Sequence, residues 1–114
     1  MNTAQAVPVL AALAQASRLD LFRLLVQAGP QGLAAGTLST ALPVSPSALS
    51  FHLKEMLHAG LVTATPQGRF VIYRANYAVM NALLVFLTEN CCQGADCDLG
   101  GMPPACGATA TPEP

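Results

Sequence analysis

Apolar positions in the first half of the chain recur in steps of three and four, the spacing of one buried face of an α-helix. Val7, Leu10 and Leu13 with Ala14 predict a first helix over about residues 4–15. Ser17 is the expected N-cap of a second, running to about Ala28 with Leu21, Phe22, Leu24 and Leu25 as a broad apolar stripe; Gly29 and Pro30 supply its stop. Leu33 to Leu42 predict a short third helix that ends at Pro43. Ser45 before Pro46 reads as an N-cap followed by proline at the first helical position, so a fourth helix is expected to reach about Ala59 and to end at Gly60.

Beyond Gly60 the pattern changes. Leu61 to Thr65 and Arg69 to Arg74 are β-rich runs separated by Pro66, Gln67 and Gly68, which predicts a hairpin. Asn76 opens a fifth helix in which Tyr77, Met80, Leu83 with Leu84, and Leu87 form a seam, and the helical signal fades around Cys91 and Cys92, with Gly94 as terminator. From Gln93 onward glycine, proline, alanine and threonine dominate and periodicity is lost, so this stretch has too little to bury to hold one conformation. The expected organisation is one domain over residues 1–92 and a cysteine-containing tail over residues 93–114. The fold class is mainly α with a β-hairpin (α+β), a winged helix-turn-helix in the order ααααββα.

A chain of 114 residues has room for one hydrophobic core. Its formal net charge of −1, with 10% charged residues, argues against a nucleic-acid partner when taken as a sum. The distribution reverses that reading. Arg18, Arg23, Lys54, Arg69 and Arg74 face only Asp20 and Glu55 within residues 1–88, a balance of +3, while the other four acids accompany the cysteines near the end. The apolar start, from Val7 to Ala16, has the look of a secretory leader but no basic segment before it, and its periodicity continues into the second helix. No apolar run approaches the ~20 residues of a membrane span. A cytoplasmic protein with reduced cysteines and no membrane association is expected.

On a helical wheel of the fourth helix, Leu49, Leu53, Met56 and Leu57 share one side, and Ser47, Phe51, Lys54 and His58 the other. Small and hydroxyl residues near the N-terminal end suit a helix that enters the major groove. Ser47 and Ser50, with Ala48 between them, can approach base edges or phosphates; Phe51 can meet a thymine methyl; Lys54 suits a phosphate; and His52 lies at the border of the two faces. A merely solvated face is the competing reading of these positions. The order of parts weighs against it, because a hairpin follows within a few residues, with Arg69 beside its tip and Arg74 at its end, where arginines can reach the minor groove or its phosphates.

The segments Ser45 to Lys54, His58 to Val62, Gly68 with Arg69, and Tyr73 with Arg74 resemble the recognition helix and wing of the ArsR/SmtB family of metalloregulatory repressors. Ala16 to Leu19 and Phe22 to Leu25 resemble that family's second helix, and the likeness spans about residues 8–90. The resemblance implies a homodimeric repressor of double-stranded operator DNA that is released when a metal or metalloid binds. The seam of the fifth helix agrees, since pairing with the first helix and a partner subunit would cover it; burial within one subunit is the alternative. Two recognition helices would then meet half-sites about one DNA turn, ~34 Å, apart.

Cys91, Cys92, Cys97 and Cys106 all fall in the last quarter of the chain. A vicinal pair cannot readily close on itself, and a chain with no export signal is expected to use its thiols as ligands. Cys91, Cys92 and Cys97 can place three sulfurs on one side of a trigonal pyramidal ion, as As(III) and Sb(III) require, and thiolates select thiophilic ions. Recruiting Cys106 would instead give a four-thiolate site for Cd, Pb or Zn; thiol oxidation is a further alternative. Arsenic sensors of the resembled family commonly carry cysteines in the helix before the turn, and Thr37 to Leu42 contains none here. Other members resemble this chain in having a vicinal pair at the end of the last helix and a third cysteine beyond it. The family's zinc sensors use histidines and carboxylates on that helix, where this chain offers only Glu89. An enzyme such as an arsenate reductase is disfavoured, since no anion-binding loop accompanies the cysteines and both histidines, His52 and His58, sit in the fourth helix.

Overall fold

Backbone N–H groups at the start of a helix lack internal partners, and polar side chains supply them here. In the computed structural model, which describes residues 1–91, Asn2 and Gln5 exchange side-chain and backbone hydrogen bonds of 2.9 Å to open α1 (Thr3–Leu13). The second helix, α2 (Ala16–Ala28), is capped by Gln15 and not by Ser17: Gln15 Oε1 accepts from the Arg18 amide at 2.9 Å. Ser17 already lies in the first turn, and the longer glutamine reaches back over it. Ser45 Oγ accepts from the Ala48 amide at 3.2 Å and Pro46 takes the first position of α4 (Pro46–His58), as expected. Asn76 Oδ1 accepts from the Val79 amide at 3.3 Å to begin α5 (Tyr77–Thr88).

The third predicted helix is shorter than its sequence suggests. Leu33 and Ala34 are strand β1, and only Ala35–Ala41 forms α3. These two residues pair with Tyr73 and Ile72 of a strand some forty positions away, a constraint that local periodicity cannot reveal. The hairpin consists of β2 (Val62–Gln67) and β3 (Phe70–Ala75), antiparallel, with Val62 opposite Ala75 and Gln67 opposite Phe70. Its loop is therefore the two residues Gly68 and Arg69. Pro66 and Gln67, expected in the turn, belong to the strand, where Pro66 pairs with Val71. Gly68 has φ of 60°, and a glycine at the first of two loop positions suits the twist of paired strands. The sheet order is β1-β3-β2, which adds a third strand to the expected hairpin and leaves the winged helix-turn-helix architecture intact.

Leu21, Leu25, Leu38, Met56 and Leu61 are the largest fully buried side chains, so the core lies where α2, α3, α4 and the root of the wing converge. The face that α1 turns inward is Ala6, Val9 and Ala12. The expected face was rotated by one residue: Val7 and Leu10 remain 55% and 40% exposed. The alanines allow the helix axes to approach closely, which leaves the larger side chains outside. Leu57 likewise stands on the rim of α4, 37% exposed, one helical step past buried Met56. Among the described residues no helix is long and apolar enough to cross a membrane.

Gly32 (φ 68°) passes directly beneath β3, where a Cβ would collide with the Tyr73 carbonyl oxygen, the Arg74 stem and Ile72 Cγ2. Gly68 has open space around the same position. Gly32→Ala is expected to cost about 3 kcal/mol or more, against about 1 kcal/mol for Gly68→Ala, where only the backbone conformation is penalised. Urea denaturation of the two variants measures the difference.

Candidate nucleic-acid interface

The site is built on α4 because burial of Leu49, Leu53 and Met56 decides which way the rest of the helix faces. Ser47, Ser50, Phe51 and Lys54 are exposed together, while Ala48 and His52 are half-buried at the margins. The Ser45 and Ser47 hydroxyls lie 3.3 Å apart at the helix start. Here the positive end of the helix dipole favours phosphate oxygens.

Two residues of α4 are held from outside it. Arg18, on the first turn of α2, donates from Nε to His52 Nδ1 at 3.2 Å. Its guanidinium carbon stands 5.7 Å from the centre of the Phe51 ring, within reach of a cation–π attraction. The Phe51 and His52 rings are 5.9 Å apart and tilted by 59°. The sequence identifies Arg18 only as a basic residue of the second helix; its contact reaches across 34 positions, which no spacing rule exposes.

In the wing, Arg69 occupies the tip itself and is exposed, whereas Arg74 lies half-buried at the root. Arg74 donates from Nε to the Pro30 carbonyl at 2.8 Å and so ties β3 to the turn after α2. Phe70, beside the tip, is 64% exposed and was missed; its place next to a glycine-arginine loop is the sequence signal that could have found it. The wing's other end is anchored by Asn76, whose Nδ2 donates to the Gly60 carbonyl at 3.0 Å and whose amide donates to Leu61 O at 2.8 Å. Tyr77 Oη then donates to the Val26 carbonyl at 3.1 Å, pinning the start of α5 to the end of α2.

Of the expected thiol ligands, Cys91 alone lies within the described residues, half-buried just after Asn90, which takes a left-handed φ of 58° beyond α5. Cys92, Cys97 and Cys106, with the expected tail over residues 93–114, lie outside them. Among the described residues no three His, Cys, Asp or Glu side chains converge on a metal-sized space. Glu89 is exposed at the end of α5, and His52 and His58 stay on α4.

An exposed helix face preceded by a tight turn and followed by an arginine-tipped hairpin defines a winged helix-turn-helix DNA-binding protein. A family model described as a helix-turn-helix domain matches residues 13–64. The transcriptional activator HlyU of Vibrio cholerae is 34% identical over 92 residues, covering 81% of this chain and 82% of that protein; its solved structure superposes with a TM-score of 0.65, over 81% of this chain and 97% of that one. An ArsR-like transcriptional regulator from Rhodococcus sp. RHA1 gives 32% identity and a TM-score of 0.69, covering 79% of this chain and 82% of that one. The homodimeric winged helix-turn-helix DNA-binding domain Mb0332 from Mycobacterium bovis gives 28% identity and a TM-score of 0.59, over 75% and 80% of the two chains. The chain belongs to the ArsR family of DNA-binding transcriptional regulators.

The two wing arginines are expected to separate on mutation. Arg69→Ala should weaken binding to any duplex and reduce the slope of log affinity against log salt by about one. Arg74→Ala should instead lower folding stability by about 1 kcal/mol through loss of its bond to Pro30. Fluorescence anisotropy across a salt series and thermal melting, run on both variants, distinguish the two roles.

Proposed function

We propose that the protein is a homodimeric repressor that leaves its operator when As(III), or Sb(III), binds Cys91, Cys92 and Cys97. The observation that carries this reading is the position of Cys91, three residues past the end of α5, a helix that leaves large apolar side chains exposed. Tyr77, Met80 and Leu83 of the α5 seam turn toward the chain's own core, but Val85 and Leu87 remain 42% and 55% exposed. An open groove of about 390 Å³ lies between Met1 and the α5 residues Ala78, Asn81, Ala82, Val85 and Phe86, with Glu89 at its end. With Val7 and Leu10 of α1 also exposed, these side chains suit a partner subunit, and the M. bovis relative is a homodimer. Thiolates at the end of such a helix adjoin the dimer seam and not the DNA surface. Ligation there would bias the separation of the two recognition helices.

The donor set fits the ion by its chemistry: thiolates bind thiophilic centres strongly, and three of them leave room for the lone pair of As(III). Ser47, Ala48, Ser50, Phe51, His52 and Lys54 on α4, with Arg69 on the wing, form the DNA-reading surface, and Arg74, which the sequence also offered for DNA contact, holds the root of the wing in place. A second reading, a thiol-oxidation switch on the same dimer, is favoured by one observation: HlyU has been solved specifically in its reduced form. HlyU is named an activator, so the sign of regulation is part of what the proposal puts at stake.

Arsenite is expected to release the wild-type chain from a tightly bound duplex in a gel-shift titration, and the Cys91→Ser, Cys92→Ser, Cys97→Ser triple variant is expected to stay bound. Release of the triple variant at the same arsenite concentration sinks the assignment. Release by diamide without arsenite, with a disulfide in the mass spectrum, selects the oxidation reading. Leu87→Glu is expected to shift the chain from dimer to monomer in sedimentation equilibrium.

A further inference from the structure

The recognition surface contains a contact that the DNA-binding reading does not use. Arg18 lies outside α4, yet its Nε–H donates to His52 Nδ1 and its guanidinium covers the Phe51 ring. A guanidinium has donors only. The ring nitrogen facing it must therefore be the acceptor, which places the imidazole proton on Nε2. Among the described residues no hydrogen bond takes that Nε2–H. Arg18 thus determines both how the His52 ring is turned and which of its nitrogens can donate.

We propose that Arg18 is a positioning residue for sequence readout: it locks His52 in the Nε2–H form, so that α4 presents a single oriented donor to an acceptor on a base edge in the major groove. The proposal rests on α4 being the DNA-reading helix. Guanine offers two acceptors on that edge, thymine and adenine one each, and cytosine only a donor. The contacted position should therefore tolerate guanine, adenine or thymine and exclude cytosine. A net hydrogen bond of this kind corresponds to about a fivefold preference. Phe51 packs under the same guanidinium and limits the positions Arg18 can adopt.

Charge and donor can be separated at this position by side-chain length. In Arg18→Gln the amide nitrogen stands at the same distance along the side chain as Arg Nε, which keeps a donor and removes the charge. In Arg18→Met a methyl group stands there, which removes the donor and the charge together. The full chain is used to select sites from a duplex pool with randomised bases, for wild type, His52→Ala, Arg18→Gln, Arg18→Met and the Arg18→Met, His52→Ala double variant. Thermal melting of each variant checks that it is folded.

Wild type and Arg18→Gln should exclude cytosine about fivefold at one position per half-site, although Arg18→Gln binds all DNA more weakly. His52→Ala, Arg18→Met and the double variant should lose that exclusion equally, because the two residues act through one contact. Three results overturn the proposal. One is an exclusion lost as fully in Arg18→Gln as in Arg18→Met, which makes Arg18 a charge only. Another is a loss in the double variant greater than in His52→Ala, which gives Arg18 a separate route. The third is a set of wild-type sites indifferent to His52→Ala. Failure of wild type to enrich any sequence is distinct from these, since it removes the sequence-specific reading of α4 as well.

Discussion

Burial of Leu49, Leu53 and Met56 against Leu21, Leu25 and Leu38 is the constraint on which the rest of the molecule depends. Each such side chain contributes about 1.5–3 kcal/mol when removed from water, enough together to fix the rotation of α4 about its own axis. Once that rotation is set, Ser47, Ser50, Phe51 and Lys54 have no choice but to face outward. The same core joins the root of the wing, through Leu61, Val62 and Ala75, so the recognition helix and the hairpin are held as one body.

Polar contacts refine what the core establishes. Asn76 is used three times: as cap of α5, as donor to Gly60 and as donor to Leu61, so the end of α4, the root of the wing and the start of α5 meet at one residue. Tyr77 carries the junction to α2. The start of α5 is thereby joined, covalently and by hydrogen bonds, to the end of α4, the wing and α2. Arg18 works on a smaller scale, aligning one imidazole on a helix that the apolar stripe has already oriented. Gly32 illustrates a different limit, since strand β1 can lie against β3 only because that residue has no side chain.

The apolar side chains left outside divide the molecule into two working ends. Phe51 and Phe70 accompany basic residues on the DNA side. Val7, Leu10, Val85 and Leu87 lie on α1 and α5, helices with few charges, where burial by a second subunit is the economical outcome. Membership of the ArsR family explains the first end directly. For the second, it is the homodimeric relative and the uncovered helix faces that support pairing.

Much of this architecture was legible in the chain because the relevant signals are local. Caps and stops such as Ser45, Pro46, Gly60 and Asn76, and the apolar repeat of α4, act within a turn or two of helix. They determined the order of the five helices and the hairpin, and the exposed face of α4. What tertiary structure alone decided involves partners far apart in sequence. The pairing of Leu33 and Ala34 with β3 converted the start of a predicted helix into a strand. Close packing of Ala6, Val9 and Ala12 rotated α1 and exposed Val7 and Leu10. The bonds from Arg74 to Pro30 and from Arg18 to His52 gave these two arginines their work, because a side chain's role follows from what stands opposite it, and periodicity carries no record of that.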